Sequence, residues 1–432
     1  MSKRNIVVCV LTCMMLLLFI SPMSAAGQEE ETSSVTTVTM WVYDEMAAGD
    51  ELALVKAQQE FMKLNPDIDV RIENTPHRGL MEKIITSSMS GVAADVIHVA
   101  TTWPVELAAM GILEPVDGYL KQSGKIDEIN TSAFKSSSYE GNIYAVPWMS
   151  DATALIYNKT MFEEAGLPLP SLEKPYNWDS FLKVAKALTK DLDGDGRIDQ
   201  YGFGIRSGRG ASYGWFPFLI ANGGQIISDD GKKIVVNSPE GQEAFKWFAE
   251  LFTVHKVVPP GAVGYDRWDD VRNAFLGKRI AMYIAGDWEL DPLRSAEPDF
   301  EFAVAPHPMQ KRRAVSMGGS SLVISAGSRV KDAAYKWIDF LTDRERMWVV
   351  FDYGRFSSRV DAADSEFVND PLLKVFLREF PYGINHASVI GDHSRTELGI
   401  AFEEVFVNNR DPLAALDDAA ARMQAQLDEV RR

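Results

Sequence analysis

Carboxylates standing beside flat aromatic rings carry most of the chemistry this 432-residue chain could perform. Tyr43-Asp44-Glu45 follows one short apolar run, Thr101-Thr102-Trp103 follows another, and Asp287-Trp288 follows a third. An aspartate or glutamate makes two hydrogen bonds in a fixed geometry. A tryptophan gives a large, rigid contact area at low entropic cost. Together they suit a polyhydroxylated ligand, which offers hydroxyls to the acids and C–H faces to the rings. The plainer reading of each acid is a solvated loop residue or a helix cap. Trp103, Trp148, Trp268 and Tyr43 are further ring candidates. The chain has ten tryptophans, so several must be core. Trp178, Trp247, Trp337 and Trp348 lie on helical faces and are assigned to packing. Gly318 and Gly319 would let backbone N–H groups approach a ligand, or serve as a hinge pair. Arg78, Arg355 and His393 are weaker candidates.

A second constellation points to a metal. Asp191, Asp193, Asp195 and Asp199 occupy positions one, three, five and nine of a calcium loop. Gly196 supplies the sharp turn at six, Arg197 stands at seven, where the backbone carbonyl ligates, and Ile198 is the apolar residue at eight. Position twelve is Gly202 rather than a bidentate glutamate. The alternative is an Asx-rich turn without metal, and no other cofactor is required. One catalytic signature is missing: the six histidines form no His-Glu-x-x-His pattern.

The elements that would position these residues follow from periodicity. Val38, Met40 and Val42 alternate as a strand, Asp50–Leu64 has helical spacing, and Val70 and Ile72 mark a second strand. Gly79–Ser90 is a second helix and Asp95–Ala100 a third strand. This order implies a parallel sheet with right-handed crossovers, with ligands beyond the carboxyl ends of its strands. Those ends are Tyr43–Glu45, Asn74–His77 and Thr101–Trp103. No phosphate-binding glycine loop follows the first strand, which argues against a nucleotide site. Further on, helices are expected over 178–189, 240–255 (entered by Ser238-Pro239), 333–351 and 412–430. Strands are expected over 280–284 and 322–325.

Several stretches in order resemble the family 1 extracellular solute-binding proteins, typified by the maltose-binding protein. They are Thr39-Met40-Trp41-Val42-Tyr43; Gly141-Asn142-Ile143-Tyr144-Ala145-Val146-Pro147 with Leu155-Ile156-Tyr157-Asn158-Lys159; Phe275 to Met282 with Gly286-Asp287-Trp288; and Gly318-Gly319-Ser320. The resemblance covers most of the chain. It implies an α/β, two-lobed periplasmic-binding-protein fold of class II type, with the ligand cleft between lobes joined by hinge crossings. The N-terminal lobe is expected from 38–150 and 318–358, and the C-terminal lobe from 151–317 and 359–432. Crossings are placed near 148–151, 317–319 and 356–361. Asp151 matches a family carboxylate that contacts sugar, and Trp288 falls where the family places a stacking tryptophan. Tyr213 and Trp215 lie in a stretch resembling one that contributes stacking rings. The expected function is capture of a mono- or oligosaccharide for an ATP-driven membrane permease by a monomer that is not an enzyme.

The ends and the composition agree with export. Lys3 and Arg4, an apolar run of about 15 residues over Ile6–Ile20, and Ser24-Ala25-Ala26 form a signal peptide over 1–26. An acidic, Ser/Thr-rich flexible leader spans 27–37. Cys9 and Cys13 would leave with the signal, so the exported chain has no disulfide staples. The formal charge of −17 becomes −19 once Lys3 and Arg4 are removed. That opposes binding to nucleic acid or anionic lipid. With no anchoring cysteine after the signal, a periplasmic location is expected. Two rivals stay open. A glycoside-cleaving enzyme would need paired carboxylates about 5 to 9.5 Å apart, from Asp44, Glu45, Asp151 or Asp287. Relatives of the same architecture take glycerol phosphodiesters, polyamines or metal ions. Phosphate capture should show convergent arginines, lysines or helix N-termini, and the acidic, aromatic strand ends favour a neutral polyol.

Overall fold

The computed structural model describes residues 35–43, 52–129, 133–362, 368–385 and 387–431. The export signal, Asp44 and Glu45 lie outside them. Strand β1 (Thr36–Val42) opens the described chain, followed by a helix over Ala53–Leu64, β2 (Ile68–Asn74), a helix over Leu80–Met89 and β3 (Val96–Ala100). β1 lies between parallel neighbours, with Val38 opposite Val70 and Met40 opposite Val96. The strand begins inside the segment expected to be a flexible leader. Thr36 and Thr37 are β-branched, and they pair with Ile68 and Asp69. The Ala53–Leu64 helix buries Ala53, Leu54, Ala57 and Phe61, spaced for one face. Full burial of a side chain the size of Leu54 or Phe61 contributes about 1.5–3 kcal/mol.

The hairpin of β4 (Ser138–Tyr139) and β5 (Asn142–Ile143) turns on Glu140 and Gly141, both at positive φ, as a type I′ turn demands. Next comes β6 (Val146–Asn158), thirteen residues that are all buried. Later strands are β7 (Met282–Gly286), β8 (Phe302–Ala305), β9 (Val315–Ile324), β10 (Phe356–Ser357) and β11 (Gly383–Ile384). The first half of β6 pairs with β9 and β10, with Ser150 opposite both Gly319 and Phe356. Its second half is flanked by β7 and β8, with Leu155 opposite both Ile284 and Ala305. β9 also runs antiparallel to β3 and so completes the order β2-β1-β3-β9-β6-β10.

Separate apolar clusters fill the two lobes. One gathers Met40, Phe61, Trp148 and Trp337. Another gathers Phe181, Trp215, Phe218, Phe245 and Phe402. The architecture is the two-lobed α/β fold. Among the described residues, no helix is long and apolar enough to cross a membrane.

One expectation about elements needs correction. The single helix over 333–351 is two, Lys331–Leu341 and Met347–Asp352. Thr342 bonds back to the Ile338 carbonyl, and the Asp343 side chain accepts from the Glu345 N–H, so local side-chain bonds interrupt the helix. The glycine-rich stretch before Phe218 is helical, Arg209–Ala221, and encloses Pro217.

Candidate ligand-binding cleft

β7 runs out at Gly286 and turns through Asp287–Glu289. Gly286 lacks a side chain for a steric reason: a β-carbon there would lie 1.9 Å from the Trp288 ring, which folds back over it. Glu289 anchors the turn from behind. It is buried, accepts from the Tyr283 hydroxyl at 3.0 Å and pairs with Arg272 at 3.1 Å. Asp287 is 1% exposed, and its carboxylate oxygens find no side-chain hydrogen-bond partner among the described residues. Burial, reinforced by the nearby Asp151 carboxylate, holds its pKa well above the usual aspartate value. Asp151 stands on β6 opposite Gly318. A β-carbon at Gly318 would sit 2.6 Å from Asp151 Oδ1 and 3.3 Å from the Tyr213 hydroxyl, so both groups converge on that glycine. Around them the half-buried rings of Tyr213, Trp268 and Trp288 form a triangle. Centroid separations are 5.4 Å for Trp268–Trp288, 6.3 Å for Tyr213–Trp288 and 6.4 Å for Tyr213–Trp268. Arg355 lies 6.0 Å over Trp288.

The facing wall comes from the ends of β1 and β3. The Tyr43 ring stacks flat on His98 at 4.0 Å and meets the edge of His77 at 5.0 Å. His77 in turn lies 5.2 Å from Trp103, and His98 lies 5.2 Å from Trp148. His98 is 1% exposed, with no partner for either ring nitrogen among the described residues. Burial, then His77 and Arg355, push its pKa down to about 3. The ring of His77 is open to solvent but hemmed in by protein. Its pKa falls to about 4, from desolvation first and then Arg395, Arg209 and Arg206. Those three arginines belong to the other lobe, so the walls oppose each other. The lobes also touch directly: Asp392 N–H donates to Glu106 Oε2 at 3.1 Å, and Asn385 Nδ2 donates to Thr101 Oγ1 at 3.2 Å. Burial raises the Glu106 pKa to about 7.

The structure therefore brings together Tyr43, Trp103, Trp148, Asp151, Tyr213, Trp268, Asp287, Trp288 and Gly318. Thr102 is buried beside Trp103. Gly319 serves the backbone: its φ is +116°, and a β-carbon would meet the Met149 carbonyl at 2.1 Å. Trp215 is a correction. It is fully buried in the lobe core, 5.4 Å from Phe245 and 5.8 Å from Phe402. Two residues along a helix lie on opposite faces, so Tyr213 and Trp215 cannot both face the cleft. Arg78 makes an exposed ion pair with Asp266, and His393 lies 3.8 Å from Glu397. Sequence reasoning missed His98, Arg206, Arg209 and Arg395. His98 interrupts an otherwise apolar strand, and that was its only signal.

In the acidic loop, Asp191, Asp193 and Asp195 each offer a carboxylate oxygen within 4.8 Å of the others. The same carboxylates accept backbone N–H groups of the loop: Asp191 from Gly194 and Gly196, Asp193 from Asp195, and Asp195 from Arg197. These bonds, led by that from Gly196, hold the Asp191 carboxyl below its ordinary pKa. Asp199 accepts from Leu192.

This two-lobed fold, with groups from both lobes facing one cleft, is that of a solute-binding protein. The chain belongs to the family of bacterial extracellular solute-binding proteins, whose model matches residues 47–347. A putative binding protein of Brucella abortus is 27% identical over 378 residues, 86% of this chain and 89% of that protein. The maltotriose-binding protein of Pyrococcus abyssi is 24% identical over 325 residues, 74% of this chain and 66% of that one. An ABC transporter solute-binding protein from Thermotoga lettingae, solved bound with α-D-tagatose, has a TM-score of 0.80 at 28% identity. That match covers 91% of this chain and 100% of that one.

Proposed function

We propose that the chain captures a carbohydrate between its lobes and presents it, unaltered, to the membrane subunits of an ABC importer. The observation that carries this reading is the triangle of half-buried rings beside the buried, unsatisfied Asp287. Sugars present flat C–H faces and closely spaced hydroxyls, and the site offers one surface and one acceptor set for each. Relatives named for maltotriose binding or solved with tagatose support a sugar as ligand. Ligand contacts are assigned to Asp151, Tyr213, Trp268, Asp287 and Trp288, with Asp44 and Glu45 as further candidates, while Tyr43 and Trp103 belong to the wall behind. Thr102, Trp148 and Gly319 support them from behind. The boundaries between lobes stay as the sequence places them. Export by a cleaved signal to the periplasm follows from Lys3, the apolar run and Ala26.

A thermal-shift screen over sugars, polyols and sugar phosphates tests the proposal, because a ligand that binds only the folded state raises the melting temperature by mass action. A hit among saccharides is expected. Recovery of cleaved oligosaccharide after incubation would instead favour a hydrolase built on Asp151 and Asp287. We further assign a structural calcium ion to the Asp191–Asp199 loop, on the proximity of its three carboxylates.

A further inference from the structure

The carbohydrate reading leaves one part of the cleft without a role. Arg395 lies on the helix Gly391–Asn408 with its guanidinium 5.8 Å from the centroid of the Tyr213 ring. Its Nε is shut off from solvent and has no acceptor among the described residues. Burial lowers its pKa, and only the Tyr213 hydroxyl opposes that shift; no carboxylate among the described residues does so. Arg206 stands close enough for the two guanidinium charges to repel. It stacks 4.7 Å over Trp268, and its Nε also lacks an acceptor among the described residues. Gly210 makes room for it: a β-carbon there would fall 2.6 Å from that Nε. Arg209 differs, because Asp392 already pairs with it.

Asp266, Asp270 and Glu289 act on Arg206, but no carboxylate among the described residues does so on Arg395. Asp151, in the middle of β6, lies near Asp287, just beyond the end of β7, and burial favours the uncharged form of Asp287. The triangle of rings thus has an acid end and a guanidinium end. A neutral guest over the half-buried Arg395 would shield it further from water without supplying a counter-charge, an arrangement that proteins avoid. A guanidinium fork matches the two oxygens of a carboxylate or phosphate. The chain as a whole carries −17, so this positive end runs against the average charge of the molecule.

We propose that the guest is an acidic carbohydrate, whose carboxylate or phosphate is received by Arg395 with Arg206 beside it. This rests on the reading of the cleft as a carbohydrate site.

The test is titration calorimetry on the exported chain with three matched probe series. These are neutral glucose and galactose with their di- and trisaccharides, the corresponding glucuronates and galacturonates, and the hexose 1-phosphates with glycerol 3-phosphate. An anionic series is expected to bind at least about thirtyfold tighter than the neutral one, the scale of a desolvated charge pair. The preferred series identifies the anion. Arg395→Gln is expected to abolish that preference, Arg395→Lys to restore part of it, and added salt to weaken only the anionic guests. Should Arg395→Gln fail to fold, Arg206→Gln provides the same readout. Equal or tighter binding of neutral sugars overturns the inference and leaves the carbohydrate reading standing. So does an equal loss for neutral and acidic guests in the variants. Binding to none of the three series overturns both.

Discussion

The two walls of the cleft hold the same kinds of ring in opposite conditions. On the N-terminal side Trp103 and Trp148 are 4% and 1% exposed, and Tyr43 is already covered by His98. On the C-terminal side Tyr213, Trp268 and Trp288 remain half-buried and tilted around a common space. A ring with no free face cannot stack on a guest, whatever its sequence position. The N-terminal wall is therefore a rigid backing, and the C-terminal wall is the contact surface.

Substitutions on the two walls should separate these roles. Trp148→Ala is expected to cost about 3–5 kcal/mol of folding stability, as other large-to-small core changes do, read by urea unfolding. A variant that stays as stable as the parent but loses the ligand would break the comparison. Trp288→Ala should do the reverse, weakening saccharide binding by about 2 kcal/mol or more with little change in unfolding. Unchanged affinity would remove Trp288 from the site.

Two acid–base predictions sharpen the contrast, because the signs differ. Folded His98 stays neutral down to about pH 3, whereas the unfolded chain takes up a proton near 6.5. The unfolded state then binds more protons, so stability drops as pH falls through that window, by up to about 1.4 kcal/mol per pH unit. His98→Gln should flatten that slope between pH 6.5 and 5. Asp287 behaves oppositely. Its folded pKa is raised, so the unfolded chain loses the proton first and stability falls as pH rises above the ordinary aspartate range. Asp287→Asn should be more stable than the parent at pH 7, with the gain vanishing on acidification, while ligand binding is lost. The smallest effect belongs outside the cleft: calcium should raise the melting temperature by about 2 °C, reversed by chelator. No shift at millimolar calcium would refute the assigned ion.

Part of the contact wall was legible because an acid and a ring stand at the end of an apolar run. Asp287-Trp288 follows a strand, and Asp151 sits in a stretch with family character. The guanidinium groups were hidden. Arg395 and Arg206 reach the cleft from segments whose local pattern says nothing about where they point. Trp215 shows the converse failure, since its stretch was read by resemblance alone, with no helical period with which to separate it from Tyr213. His98 escaped because an apolar strand makes any single polar residue look like an interruption. The parallel β1–β3 arrangement was plain from its alternation of strands and helices. The break between Leu341 and Met347 was not, because the apolar spacing continues across it.

β6 carries a further consequence. One uninterrupted strand supplies hydrogen bonds to β9 and β10 at its start and to β7 and β8 at its finish. Neither half of the molecule owns a complete sheet once that strand is taken away. Heating should therefore produce one calorimetric peak, and a gene cut within those thirteen codons should yield two fragments that need each other to fold.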